Sequence, residues 1–597
     1  MNGEYKIDTQ QEPELKQLLP FWRNIFETES EEDERTPPSK NPPILELESP
    51  ITVDEVNFAK KSSKKDTAPG LDNISVQDLI KIPSLELAQR FNVWLLGGDV
   101  PRRCKECVTT LIPKQNGATR PEDFRPMTMA PTLLRLFHRI LSKRMMALLP
   151  FDENQKAFRK SDGVAHNLIT IQSLMDNHKK QLEPLNAAFL DVKKAFDSVN
   201  HSSLFIACKR IGVPETTLRY IKQLYYESRT KLRVQGETSD EIIVKRGIKQ
   251  GDPLSVPLFL AIMDWAVADM DKKLGVSIGN CKINHLAFAD DLVILASTKK
   301  GLQTHMDILE SNLQQSGMKF NQKKCSSFCI TTDGEDKKWL IDPNPFLKCN
   351  NEIIPATTIG SFYKYLGIQI GCMDNSTFVT QVLERKLSYV TKAPLKPRKR
   401  LYTLINHMLP SLFYPLTFMS TSKNFLRSLD IRIRAAFRKW LRIPKDVPVS
   451  FFHTISKMGG LGVPQSQYTI PPLKTARLNK FADTTDTTSV EIISNNALPK
   501  FSRNWERPVT VAGETVTNKN ELDNITAQML YRSIDGKSLR QASEAKENGV
   551  WINNGTLLLS GRDYIGALSL EAVTSTVNLG PLGVMRTPRR CVNAVGE

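Results

Sequence analysis

The sequence predicts a mixed fold, a large α/β or α+β unit followed by a helical region. Three observations predict it. Between about residues 50 and 370, strand-like and helix-like segments alternate, with turn signals at TAPGLDN (67–73), PKQNG (113–117) and KQGDP (249–253). Residues 378–443 read mostly as helices. Two adjacent aspartates, Asp290 and Asp291, interrupt the strand-like apolar run HLAFADDLVILAS (285–297). Burying neighbouring like charges costs several kcal/mol each unless something compensates.

The elements justify this reading in order. LKQLLPFWRNIF (15–26) reads as a short helix, and TESEEDERTPPSKNPP (28–43), acidic and proline-rich, as an exposed linker. In LNAAFLDVKKAFDSVNH (185–201), Ala188, Leu190 and Val192 alternate with Phe189, Asp191 and Lys193 before the pattern breaks. A strand passing into a helix is predicted, with Asp197 or Ser198 near the helix start. In NFLRSLDIRIRAAFRKWLRI (424–443), Phe425, Leu429, Ile433, Phe437 and Trp440 form an apolar stripe. Arg427, Arg434 and Arg438 lie off that stripe, which predicts a basic exposed face. Beyond about 480 the chain turns polar and threonine-rich, then partly helical.

Composition points to a partner. The 597 residues carry a formal charge of +17, and their 40% hydrophobic content allows sizeable cores. The first 50 residues hold 12 acidic and 5 basic side chains, which leaves about +24 on the rest. That balance favours a polyanion, nucleic acid above all, without by itself excluding a merely basic soluble protein. The polar opening and the lack of any apolar run near the roughly 18 residues of a bilayer span predict no membrane partner. Nine scattered cysteines fit a reduced intracellular compartment. Cys104/Cys107 and Cys325/Cys329 lack a second His or Cys pair, so no zinc site is expected there.

Asp191 stands towards the end of its predicted strand. If that strand lies beside the one bearing Asp290 and Asp291, three carboxylates meet at one edge. Such a cluster repels itself unless divalent cations occupy it. Two hard cations bridged by carboxylates are the apparatus of in-line nucleotidyl transfer, and Mg²⁺ suits it because it keeps phosphate and water ligands.

The motifs occur as an ordered set. TAPGLDNIS (67–75), TLIPKQNGATRPEDFRPMTM (110–129), FLDVKKAFDSVNH (189–201), GIKQGDPLSVPLF (247–259), AFADD (287–291), GMKFNQKKCSSF (317–328) and YKYLGIQIG (363–371) follow one another, and RAAFRKWLRIPKDVPVSFFHTISKMGGLGVPQ (434–465) comes after them. Over roughly residues 55–470 the chain resembles the reverse transcriptases of non-long-terminal-repeat retrotransposons. It is most similar to the site-specific type that inserts into ribosomal DNA and carries a restriction-like endonuclease.

The resemblance implies an α+β right-hand polymerase with an antiparallel palm sheet: an acidic extension and linker (1–54), fingers (55–180), palm (181–370), helical thumb (371–480) and a C-terminal linker region (481–597). It implies RNA-directed DNA polymerase activity on an RNA template and a DNA primer or target, with deoxynucleoside triphosphates and two Mg²⁺ ions. Asp191, Asp290 and Asp291 would hold metal with the Val192 carbonyl. Phe196 would exclude a 2′-hydroxyl, and Gln250 and Gly251 would line the nucleotide pocket. Lys114 and Arg125, with Arg120 as a rival, would meet the triphosphate. Lys324, with Lys323 as its alternative, would be the general acid. Tyr365, Leu366 and Gly367 would grip the primer. KAPLKPRKR (392–400) reads as a phosphate contact, and nuclear action after cytoplasmic translation follows from the resemblance alone.

Flanking domains usual to such proteins are missing. No CxxC…HxxxH pattern precedes residue 55, and Cys591 stands where a zinc knuckle would begin with no partner after it, so the expectation is no metal there and a truncated element, a partial gene or a polymerase-only relic. The alternative function is a decayed or domesticated relic that binds RNA without polymerising. An RNA-dependent RNA polymerase shares the palm logic but is disfavoured by Phe196 and the Phe-Ala-Asp-Asp form.

Overall fold

The computed structural model describes residues 13–29, 32–36, 41–115, 117–226, 228–333, 335–371, 376–502, 509–516, 518–533 and 540. The expectation for Cys591 falls outside these residues. Two compact units form. One comprises Met1–Asn167, His178–Thr358 and Asp486–Glu491, and the other Leu168–Asn177, Ile359–Thr485 and Ile492–Glu597, in each case for the described residues.

The first unit opens with α1 (Leu15–Glu27), whose buried Leu15, Leu18, Trp22 and Phe26 share one face. Helices α2 (Val53–Ser62) and α3 (Val76–Lys81) each begin with a capping box, Thr52 with Glu55 and Ser75 with Asp78. Strands β1 (Glu106–Pro113) and β2 (Phe124–Met129) form an antiparallel pair, and α4 (Thr132–Leu148) follows. Next come β3 (Leu185–Leu190), the single turn α5 (Ala195–Ser198) and α6 (His201–Ile211). Strands β4 (Arg229–Val234) and β5 (Glu237–Ile243) complete a four-stranded mixed sheet in the order β2-β1-β4-β5, against which α1 packs.

Helix α7 (Ser255–Ala268) is apolar nearly all round and buried to match. Then follow β6 (His285–Phe288), β7 (Asp291–Ala296), α8 (Lys299–Gln315), β8 (Ser326–Asp333) and β9 (Lys338–Ile341). They build a second sheet in the order β9-β8-β3-β7-β6, antiparallel at every pairing. Strand β3 is buried along its whole length because it has a neighbour on each side and faces the core. The architecture is α+β.

The second unit holds the hairpin β10 (Tyr363–Tyr365) and β11 (Ile368–Ile370) and is otherwise mainly helical, with α9 (Ser376–Lys392), α10 (Lys423–Leu441), α11 (Ser466–Ala482) and α12 (Lys519–Arg532).

Two sequence expectations need correction, and a third holds in a shorter helix. Within the acidic stretch read as an exposed linker, residues 32–36 are pinned to the first unit. Asp33 accepts a bond from Ser203 Oγ at 2.5 Å, and Arg35 reaches the Asn312 carbonyl and Ser316 Oγ while lying over Trp265. Asp197 and Ser198 do lie at a helix start, as expected, but in the single turn α5 and not in the longer α6. The Asp197 carboxylate turns inward to a side-chain partner instead of capping. Arg434 is not on an exposed face. It is buried, and its guanidinium donates to His453 Nε2 at 3.1 Å. Arg438 donates to the carbonyls of Pro444, Lys445 and Val447 and stacks on Phe452, which makes it a structural clip. Of the expected basic face, Arg427 remains exposed, and Arg432 pairs with Glu384 at 3.0 Å.

Candidate active site

The register of the second sheet brings the carboxylates together. Leu190 pairs with Leu292, so Asp191, one residue past β3, and Asp291, the first residue of β7, lie at the same end of neighbouring strands. Asp290 occupies the two-residue turn between β6 and β7, next to Ala289 in the left-handed conformation at φ +55°. Burial raises the Asp290 carboxyl above its usual range. Asp191 adds to the rise, and the Arg125 guanidinium opposes it. Asp291, open to solvent yet flanked by protein, is pushed up to about 6 by desolvation, then by Asp290 and Asp191. The three carboxyls therefore act on one another. Lys324 Nζ lies 3.8 Å from Asp191 Oδ2. Val192 is buried and pairs with Phe320 in a short ladder.

Sequence reading missed the residue that holds this turn. Gln155, buried, accepts the Ala289 N–H at 2.9 Å and donates Nε2 to the Ala289 carbonyl at 3.3 Å. Both backbone groups of the residue before Asp290 are thus clamped by one amide. Gln155 stands far away in sequence in an unremarkable polar stretch, and no local signal marks it.

The second constellation surrounds α5. Phe196 stacks on Phe259 of α7 with centroids 4.0 Å apart and planes 15° off parallel. Gln250 Nε2 donates to Asp197 Oδ1 at 2.7 Å, and the Gln250 carbonyl accepts from Thr128 N of β2 at 2.7 Å. Gly251 has φ +102°, and a Cβ there would come within 3.1 Å of Met127 Cε and 3.2 Å of the Thr128 carbonyl. Glycine is required for both reasons. Burial lifts Asp197 to about 6 against the opposing pull of Gln250, Lys194 and Lys114. Lys194, itself left-handed at φ +48°, lies over the rings of Phe21 and Trp22, and burial lowers it to about 8.

Lys114 donates Nζ to the Glu122 carbonyl at 2.8 Å. Burial lowers its pKa first, then the nearby charges of Arg125 and Lys324. Arg120 is committed to Asp123 at 3.2 Å. Among the described residues, no group of three His, Cys, Asp or Glu side chains is arranged to hold a metal ion by itself.

Residues 112–370 match the family model described as reverse transcriptase (RNA-dependent DNA polymerase). The chain is 32% identical to a Pol polyprotein from the type-1 retrotransposable element R2 of Popillia japonica, over 92% of this chain and 75% of that protein. The chain belongs to the R2 retrotransposon reverse transcriptases. The corresponding R2 polyprotein of Nasonia vitripennis is 34% identical over 86% of the chain and 48% of its own length. The R2DM polyprotein of Drosophila melanogaster is 30% identical over 94% and 53%. The chain thus spans about half the length of these two relatives. Among solved structures, a telomerase from Candida albicans in complex with a fragment of telomeric RNA superposes with TM-score 0.33 at 11% identity, covering 78% of this chain and 69% of that one.

In this R2-family chain the segment 363–370 is a hairpin of the second unit. Leu366 and Gly367 form its two-residue turn, at φ +47° and +84°, and Tyr365, paired with Ile368, is buried. Positive φ at both turn positions matches the twist of a tight hairpin. Gly367 approaches Tyr414 of the same unit, where an added Cβ would lie 3.9 Å from its ring.

Proposed function

We infer that the chain is an RNA-directed DNA polymerase, a nucleotidyltransferase that extends a DNA 3′-hydroxyl along an RNA template as in target-primed reverse transcription. The observation that carries this reading is the meeting of Asp191, Asp290 and Asp291 at one sheet edge, with Arg125 acting on Asp290 and Lys324 beside Asp191. Mutually repelling, partly desolvated oxygen donors suit a hard divalent cation whose shell substrate phosphates complete. Asp191, Asp290 and Asp291, with the Val192 carbonyl, would hold two Mg²⁺ ions. When bound, they would supply charge stabilisation for the attacking hydroxyl and the departing pyrophosphate.

The chain's own groups do the rest. Arg125 would engage triphosphate oxygens through its fork and Lys114 as a point charge. Lys324 Nζ would deliver a proton to the pyrophosphate. Phe196, its plane fixed by Phe259, would leave no space for a 2′-hydroxyl. Asp197 would hold the Gln250 amide, and Gly251 would let backbone approach the nucleotide. Tyr365, Leu366 and Gly367 would contact the primer. We assign fingers to 55–180, palm to 181–370 and thumb to 371–480, with action in the nucleus.

The test is primer extension by the full chain on a DNA primer annealed to RNA, with Mg²⁺ and deoxynucleotides, beside an Asp290→Ala, Asp291→Ala variant. Product from the wild type alone supports the reading. No product from folded wild type that still binds RNA overturns it in favour of a non-polymerising relic.

A further inference from the structure

A second charged site lies in the first unit, apart from the carboxylates. Between α2, α3 and the start of α4, a cavity of about 30 Å³ is lined by Lys60, Ser63, Thr67, Thr132, Arg135 and Arg139 over an apolar floor that includes Val76 and Leu136. A water needs roughly 10–15 Å³ by this measure, so the space admits a small oxyanion head and no base.

The cations here are poorly matched from within. Arg135 donates to the Ala68 carbonyl at 2.8 Å and to Thr132 Oγ1 at 2.9 Å, yet its Nε is buried without a partner. Arg139 has a buried Nε without a partner too, and no hydrogen bond or ion pair ties its guanidinium to any described residue. Lys60 spends bonds on the Ile82 carbonyl and Ser84 Oγ, neither of them anionic.

Three costs add up. Each buried unpartnered donor costs about 1–3 kcal/mol. Arg135 and Arg139 stand at i and i+4 of one helix, where like charges repel. Arg135 lies at the end of the first turn of α4, where the helix dipole disfavours cations and favours anions. The carboxylates that act on Arg135 are Asp252 and Asp72. Asp252 is bound to His138, and neither forms an ion pair with Arg135 among the described residues. None acts on Arg139.

An anion held between these cations would offset all three costs. The geometry points to a phosphate-binding subsite formed by Arg135, Arg139 and Lys60 at the N-terminal end of α4, which takes a backbone phosphate of the template–primer. Helix α4 begins three residues after the end of β2, the strand that carries Arg125 and holds the Gln250 carbonyl, so the subsite and the proposed active site share one unit and are joined by a short connection. The identity of the ligand as nucleic acid rests on the polymerase reading.

The experiment is fluorescence-anisotropy binding of an RNA template–DNA primer to the full chain across a salt series. Wild type, Arg135→Gln, Arg139→Gln, Arg139→Lys and the Asp290→Ala, Asp291→Ala protein are compared, with melting temperatures taken with and without millimolar inorganic phosphate. The expected result for Arg139→Gln is affinity lower by about tenfold and a log–log salt slope shallower by about 1, partly restored in Arg139→Lys. Its melting temperature should hold or rise, since a half-buried charge without a counter-ion has gone.

Unchanged affinity and slope in both glutamine variants overturns the subsite. So does a fall in melting temperature without loss of binding, which makes the arginines structural. If phosphate raises the melting temperature of wild type and not of Arg139→Gln while the salt slope stays equal, the pocket takes a free phosphate and the backbone assignment falls. The double aspartate variant separates the two readings. Tight binding by it, with the shallower slope still confined to the arginine variants, supports the subsite whether or not wild type extends a primer.

Discussion

Replacing Gln155 by leucine tests how the Asp290 turn is held. Leucine has nearly the same size and no polar atoms. In wild type, Gln155 Oε1 accepts from Ala289 N at 2.9 Å and from Ala157 N at 3.1 Å, and Nε2 donates to the Ala289 carbonyl. All three residues are buried, so the substitution strands two N–H donors and one carbonyl. At about 1–3 kcal/mol for each stranded donor, the native turn loses roughly 2–6 kcal/mol of support. The left-handed Ala289 adds to the pressure to relax, because that conformation costs an L-residue about 1–2 kcal/mol.

The easiest relaxation turns the Ala289 peptide towards water, and the next residue in the chain is Asp290. A displacement near 1 Å at a reacting centre costs on the order of 100-fold. Single-nucleotide primer extension should therefore show kcat lower by about 100-fold, with hybrid affinity within twofold of wild type. Folded Gln155→Leu protein that keeps kcat within threefold would refute the claim that this amide positions the carboxylate.

Two further outcomes follow from local geometry. Gly251→Ala places a Cβ at a left-handed φ and within 3.1–3.2 Å of Met127 and Thr128, so Gln250 must shift; the KM for deoxynucleotide should rise several-fold more than kcat falls, read by steady-state extension. In the second unit, His453 is buried neutral, with Nδ1–H donating to the Val463 carbonyl at 2.8 Å and Nε2 accepting from Arg434; burial lowers its pKa to about 4. The unfolded chain, with a histidine pKa of about 6.5, binds more protons between those values. Stability is then complete above about pH 6.5 and declines as pH falls towards 4, by up to about 3 kcal/mol. Urea unfolding at pH 7.5 and 4.5 should show this loss shrink in His453→Gln, and an equal loss in both proteins would rule His453 out as its source.

The family motifs were legible in the sequence because each is short and made of residue types that little else explains. Two aspartates inside an apolar run, a third after a predicted strand and a glycine before Asp252-Pro253 can be read without knowing where the chain turns. The helix α1 and the helix carrying Phe437 and Trp440 were legible for the same reason, since their apolar spacing is local. Arg434 was misread because periodicity places a residue on a face but does not say how wide the covered face is. With Asp430 one turn earlier on the same helix and His453 arriving from a later segment, the buried stripe widens to include an arginine. The acidic stretch was misread because Asp33 and Arg35 look solvated until Ser203, Trp265, Asn312 and Ser316 close around them.

By itself, then, the sequence determined the family and the α+β class and marked out the three aspartates as candidates, all of which rest on patterns within a few residues. Only the tertiary structure decided that Gln155 holds the turn before Asp290, that Asp197 holds Gln250, and that two arginines of one helix share a cavity without a counter-charge. Each of these depends on which buried donors and acceptors find partners. That is settled only when segments more than 50 residues apart meet, or when the walls of a cavity leave a donor with none.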